Sequence, residues 1–291
     1  MISINTNNGG LFAAKAASQS QATIDSAMQR LSTGSRINNA KDDAAGQAIA
    51  TRLTAEIQGL EIASRNVADG QSLVDTAEGA LQETHTLLLR MREIGVQAAN
   101  GTLSTSDNQA LDAEFQQLVK EIDRIAQNTT WAGAALLNGD AAGAEDSTAT
   151  FSFQAGVGNN SGADVFDVTV KNADSTTLDV FVANSSDATV NDVNLLSQSS
   201  AGSAITAVDA AIATVSSERA NLGAVSNRMA STMANLDQIR VNLTASKGRI
   251  ADADFAAETA NLAKGQILQQ AATAMLAQAN ASKQQVLTLI R

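Results

Sequence analysis

Four groups of residues in this chain have types and spacings that chemistry uses. Gly156, Gly158 and Gly162 follow a strand-like stretch, as in loops whose backbone N–H groups cradle phosphate. A phosphate loop opens a helix, and here a second alternating stretch follows, so these glycines read as a hairpin turn. Asp252 and Asp254 invite a divalent cation, but two carboxylates without further oxygen ligands more commonly cap a helix or face solvent. His85 is the single histidine, which excludes a two-histidine zinc helix, and the absence of cysteine excludes thiolate sites. The clusters Arg90, Arg92, Glu93 and Lys120, Glu121, Asp123, Arg124 have the spacing of weak ion pairs on solvated helix faces. In a polymer the same faces would set register between copies. No catalytic, metal or cofactor site is expected, and the chain does not read as an enzyme.

The elements that carry these groups are set by heptads. Large apolar residues recur every seven positions in two runs, Leu53, Leu60, Val67, Val74, Leu81, Leu88 and Val208, Val215, Leu222, Met229, Leu236, Leu243. Such a repeat marks a helix packed along its length against other helices. Each run supplies roughly 50 Å of seam at helical rise. The two sit at matching distances from the chain ends, which suggests a chain that runs out, turns and returns beside itself. Leu111, Phe115, Leu118, Ile122 and Ile125 mark a third rod helix, opened by a capping-box pattern at Ser106 to Gln109. Gly34 to Asp43 is a polar break, Asn100-Gly101 a helix stop, and Asn128 to Gly139 a crossing segment with Trp131 over a helix end.

Composition agrees. Proline is absent and aromatic residues are 3%, so unbroken helices with aliphatic seams are favoured over a broad globular core. The net charge of −11 argues against nucleic acid. Met1 to Ala14 lacks the features of a secretory signal peptide, and Gly265 to Ser282, though uncharged, carries too many glutamines to span a membrane. It reads as a helix buried in protein. Apolar positions at helical spacing occur at both ends: Ala17, Ile24, Met28 and Leu31, then Leu268, Ala272, Met275, Ala279, Val286 and Leu289. Two such weakly charged helices alone bury too little surface to offset ordering, so they are expected to be loose in the monomer and ordered by neighbouring copies. Between Ala141 and Leu195 stand eight acids and one base, Lys171, around alternation at Thr150 to Phe153 and Val165 to Val170, an acidic β-hairpin. The expected fold is mainly α: a long antiparallel helical hairpin or coiled-coil rod, paired terminal helices, and a small β-hairpin in mid-chain.

Particular strings go further. Leu31-Ser32-Thr33-Gly34 with Arg36-Ile37-Asn38, Lys41-Asp42-Asp43-Ala44-Ala45-Gly46, Val96-Gln97-Ala98-Ala99-Asn100-Gly101-Thr102 and Leu136-Leu137-Asn138-Gly139 stand in the first half. Arg219-Ala220-Asn221-Leu222-Gly223, Arg249-Ile250-Ala251-Asp252-Ala253-Asp254 and Ala274-Met275-Leu276-Ala277-Gln278-Ala279-Asn280 stand in the second. In these the chain resembles bacterial flagellin. The resemblance implies a filament subunit of the swimming propeller, extracellular, exported unfolded without a cleaved signal peptide and polymerised at the tip. Its implied partners are further copies of itself, the export apparatus and an export chaperone, the filament cap and hook-junction proteins, and a host innate immune receptor. It further implies paired terminal helices in an inner core at residues 1–43 and 248–291, and a helical rod at 44–140 and 199–247. The β segment at 141–198 belongs to the rod, with no large outer domain. Filament-core assembly falls to Ile24, Met28, Leu31, Leu268, Met275, Val286 and Leu289, and the receptor epitope to Arg90, Ile94 and Glu114. Where family members often carry proline before the final Gln-Gln-Val-Leu, this chain has Ser282-Lys283; Leu89 and Ile94 replace a usual glutamine and leucine. The alternatives are a hook-filament junction protein, a metalloprotease-bearing flagellin, which one histidine excludes, and a secreted coiled-coil adhesin.

Overall fold

The computed structural model describes residues 6–138, 148–158, 164–180 and 193–288, the side chains of 283–288 excepted. Among the described residues five helices carry the fold: α1 Asn8–Thr33, α2 Ala44–Ala98, α3 Thr105–Asn128, α4 Gln198–Ala251 and α5 Phe255–Thr288. Two short antiparallel ribbons lie between α3 and α4, β1 Thr130–Trp131 with β2 Ala134–Ala135, and β3 Thr148–Gln154 with β4 Val165–Lys171. The mainly α class with a small mid-chain β-hairpin, β3–β4, is therefore present. The chain divides into two compact units, residues Gln58–Arg240 and the two ends Met1–Ile57 with Val241–Arg291.

In the Gln58–Arg240 unit, α2 and α4 run antiparallel. Arg92 pairs with Asp209 at 2.6 Å and Arg219 with Glu78 at 2.7 Å, so position falls along α4 as it rises along α2. Gly95 beside Ile205 and Gly70 beside Met229 keep the same register. Leu60, Val67, Val74, Leu81 and Leu88 are buried on α2, and Val208, Val215, Leu222, Met229 and Leu236 on α4. The hairpin docks on α2 where side chains are missing. A Cβ at Gly70 would lie 2.8 Å from Met229 Cε and 3.1 Å from the Phe153 ring, and one at Gly59 would lie 2.7 Å from Val157. Alternate residues of β4, Phe166, Val168 and Val170, are buried as a half-buried strand requires, and the Arg228 guanidinium lies 4.2 Å over the Phe166 ring. The β3–β4 connection at 159–163, with Gly162, and the acids Glu145, Asp146, Asp187 and Asp192 fall outside the described residues.

Two local expectations change. The capping box stands two residues earlier than expected: the Asp107 N–H donates to Ser104 Oγ and the Ser104 N–H to the Asp107 carboxylate, the reciprocal pair that starts α3. The buried face of α3 is Phe115, Val119, Ile122 and Ala126, while Leu111, Leu118 and Ile125 are half-buried. A straight helix turns at 3.6 residues, which moves its inward face off the strict heptad. Trp131 pairs with Ala134 in a two-residue hairpin whose centre, Ala132 and Gly133, has φ of 48° and 87°.

In the unit of the two ends, α1 and α5 also run antiparallel. Arg30 pairs with Glu258 at 2.9 Å, Gln269 donates to Gln21 at 2.6 Å, and Asn7 donates to the Ala279 carbonyl. Buried Gly10, Ala13, Ser20, Ile24 and Ala27 form the contact stripe of α1, all small but Ile24, which lies against Gly265. Gly34 ends α1 in the left-handed region at φ 70°, donating to the Arg30 carbonyl at 2.9 Å. The break after α1 is then clamped to the α4–α5 junction. The Arg36 N–H donates to the Ala251 carbonyl at 2.7 Å, its guanidinium donates to the Ile250 carbonyl at 2.7 Å, and the Ala253 N–H donates to the Gly34 carbonyl at 2.9 Å. Asp254 caps α5 by accepting from the N–H groups of Ala256 and Ala257, which gives one of the paired aspartates its role. The helix then runs unbroken to Thr288 through Ser282-Lys283.

Candidate assembly surface

Helices that pack on one partner bury one stripe and turn charge outward. α1 and α5 do otherwise. Outside their mutual stripe they expose Leu11, Phe12 and Met28 on one helix and Phe255, Ile267, Leu268 and Met275 on the other. Phe12 is 76% exposed and Met275 63%. Between the helices lies a groove of about 670 Å³ whose walls include Phe12, Ala16, Leu268, Ala272 and Met275. An exposed apolar groove of this kind marks an interaction surface. Few charges interrupt it, so its occupant is recognised by apolar packing and small-residue fit. Lys264 is one that lines the groove.

The residues singled out for assembly divide accordingly. Met28, Leu268 and Met275 are exposed and Leu31 is half-buried. Ile24 is buried inside the single chain, because the missing side chain of Gly265 leaves room for it. The Gly265–Ser282 stretch, expected to be buried, stands largely open in one chain for want of a second layer of helices. The side chain of Val286, and Leu289, lie outside the described residues. Of the rod seam, Leu53 is buried and Leu243 half-buried.

On the Gln58–Arg240 unit, Arg90 donates to Glu114 at 2.8 Å and to Glu93 at 3.0 Å, with the charged ends exposed. The Glu114 and then the Glu93 carboxylate push the Arg90 pKa further up, so its charge is fixed. Ile94 is 1% exposed and belongs to the packed interior, while Arg90, Glu114 and Leu89 are exposed.

Sequence reasoning missed three carboxylates that tie elements together. Glu218 on α4, 5% exposed, accepts the Lys171 N–H at the end of β4. Asp123 accepts the Ser175 N–H, and Asp112 the Leu195 N–H. Nothing in their spacing distinguishes them from solvated acids, since their partners are distant backbone amides. Among the described residues no group of three His, Cys, Asp or Glu side chains could hold a metal ion, and no helix is long and apolar enough to cross a membrane.

Comparison with known proteins identifies the two halves. Residues 4–142 match the family model for the bacterial flagellin N-terminal helical region and residues 205–290 that for the C-terminal helical region. The chain belongs to the bacterial flagellin family. It is 44% identical to a flagellin of Halalkalibacterium halodurans over 91% of both proteins, and 40% identical to a flagellin of Bacillus subtilis over 99% of both. The short middle is therefore shared with flagellins of similar length. Among solved structures, a putative flagellar hook-associated protein from Vibrio parahaemolyticus shares the fold, at 15% identity and a TM-score of 0.57, with 72% of this protein and all of that one covered.

Proposed function

We infer that this chain is the structural subunit of a bacterial flagellar filament, an extracellular helical propeller for swimming. The observation that carries the reading is the open apolar face of α1 and α5 on a protein matching flagellin at both ends. Polymerisation covers that face with the same face of neighbouring copies. In this reading residues 1–43 and 248–291 line the inner core, the rod at 44–140 and 199–247 surrounds it, and 141–198 belongs to the rod, with no large separate outer domain. The terminal helices are loose before assembly because their apolar surface has no cover. The subunit does no catalysis, its motion coming from a motor elsewhere, and it needs no cofactor. Export without a cleaved signal peptide, an export chaperone, a filament cap and hook-junction proteins belong to the same reading. Exposed Arg90 and Glu114 are what a host immune receptor would meet on a monomer.

The test is electron microscopy of purified protein seeded with short filament fragments, beside a variant lacking residues 1–33 and 259–291. Filaments from the intact protein alone support the reading. Soluble dimers from both point instead to a hook-junction or adhesin role.

A further inference from the structure

Asn-Gly pairs occur three times in the sequence, at Asn8-Gly9, Asn100-Gly101 and Asn138-Gly139. Their surroundings differ. Asn8 and Gly9 are the first two residues of α1, so the Asn8–Gly9 peptide is held in the helical backbone conformation. Gly139 lies outside the described residues. Asn100 and Gly101 form an exposed turn just beyond the end of α2 at Ala98. There the Thr102 N–H donates to Asn100 Oδ1 at 3.3 Å, which curls the Asn100 amide group back over the Asn100–Gly101 peptide. The same bond draws electron density from Asn100 Cγ. Among the described residues the Gly101 N–H has no acceptor. The nucleophile is thus free, its electrophile is polarised and held nearby, and glycine puts no side chain in the way of attack.

We propose that Asn100-Gly101 is a self-modifying site that converts without an enzyme to aspartate and isoaspartate in the folded protein. The Gly101 nitrogen attacks Asn100 Cγ, forming a new C–N bond and closing a five-membered succinimide. The Cγ–Nδ2 bond of Asn100 breaks, and its NH₂ leaves as ammonia with the proton given up by Gly101. Water then opens the ring at either carbonyl, giving aspartate or, by the other carbonyl, isoaspartate, whose backbone is one methylene longer. Nothing is oxidised or reduced.

The product alters the turn in two ways. A carboxylate appears at the negative end of the α2 dipole, where an anion is disfavoured. The longer backbone displaces the Asn100 carbonyl that accepts the Leu103 N–H, one residue before the Ser104 cap of α3. In subunits that persist after assembly, the α2–α3 connection changes with age.

Trypsin separates the three pairs, since Asn8 falls in Met1–Lys15, Asn100 in Glu93–Lys120 and Asn138 in Ile125–Lys171. The full-length protein is aged at mildly alkaline pH, folded and in denaturant, beside Gly101→Ala. Alanine is sterically admissible there, because a Cβ would lie 3.7 Å from the Gln198 amide, at ordinary contact distance. The expected result is an isoaspartyl form of Glu93–Lys120 in the folded protein and its loss in the variant, with an unchanged circular dichroism spectrum. Conversion of Asn100 only in denaturant, or equal conversion in Gly101→Ala, overturns the proposal.

Discussion

Leu222→Ala and Met275→Ala remove comparable apolar volume from opposite kinds of site, and the two variants should fail differently. Leu222 is 0% exposed in the rod seam, so truncation loses its transfer free energy and leaves a cavity. Buried leucines replaced by alanine cost about 2–5 kcal/mol. At about 2–4 °C per kcal/mol for a unit of this size, a central cost of about 3 kcal/mol lowers the rod's melting temperature by about 6–12 °C. Met275 is 63% exposed in a single subunit, so its truncation should change monomer stability by less than about 0.5 kcal/mol. In the filament that exposed fraction is covered. Losing it costs about 1–2 kcal/mol per subunit at about 0.8 kcal/mol per buried methylene. The critical concentration for polymerisation then rises roughly five- to thirtyfold. Thermal circular dichroism of the monomer and sedimentation of the seeded polymer read the two quantities. Equal melting shifts, or a Met275 variant that polymerises at the original concentration, would refute the division between seam and assembly face.

Three further outcomes follow from named contacts. Gly265→Val places a Cβ 2.8 Å from Ile24 Cγ1 and should cost about 1–3 kcal/mol of α1–α5 closure by overpacking, seen as reduced filament yield with an unchanged rod melting temperature. Ser104→Ala removes the α3 cap and should destabilise the rod by about 1 kcal/mol, read as a lower denaturant midpoint at constant slope. The Asp42 pKa is held below its ordinary 3.8 by the backbone N–H groups of Asn39 and Asn38, so the stability it contributes is complete above 3.8 and is lost as pH falls through the depressed value. Amide exchange at Asn38 and Asn39, corrected for the intrinsic pH dependence, should therefore lose protection only below 3.8, and Asp42→Asn should abolish that step.

What could be read from sequence followed from periodicity. Val67, Val74 and Leu81 announce their burial by recurring every seven positions, and Phe166, Val168 and Val170 by alternating. What could not be read depends on groups without side-chain signatures. The clamp between Arg36 and the Ile250 and Ala251 carbonyls joins positions more than two hundred residues apart through backbone acceptors. Glu218 looks like any helix glutamate until β4 delivers the Lys171 N–H to it. Ile24 and Met28 have the same apolar character one helical turn apart, and only the Gly265 notch on α5 decides that one faces inward and the other outward. The family strings named the assembly, while the geometry of a single subunit apportions its surface.

If other copies of the protein cover the open face of α1 and α5, its methionines must lose access to solvent on assembly. Brief peroxide oxidation, with methionine sulfoxide quantified by peptide mapping, measures this on the protein as it polymerises. Met91 and Met229 are buried within the rod and serve as internal standards, slow in both states. Met28 and Met275 are exposed in a single subunit and should oxidise fast in the monomer but fall toward the rate of those standards in the filament. Unchanged fast oxidation of both in intact filaments would place the subunit contacts elsewhere and contradict the account.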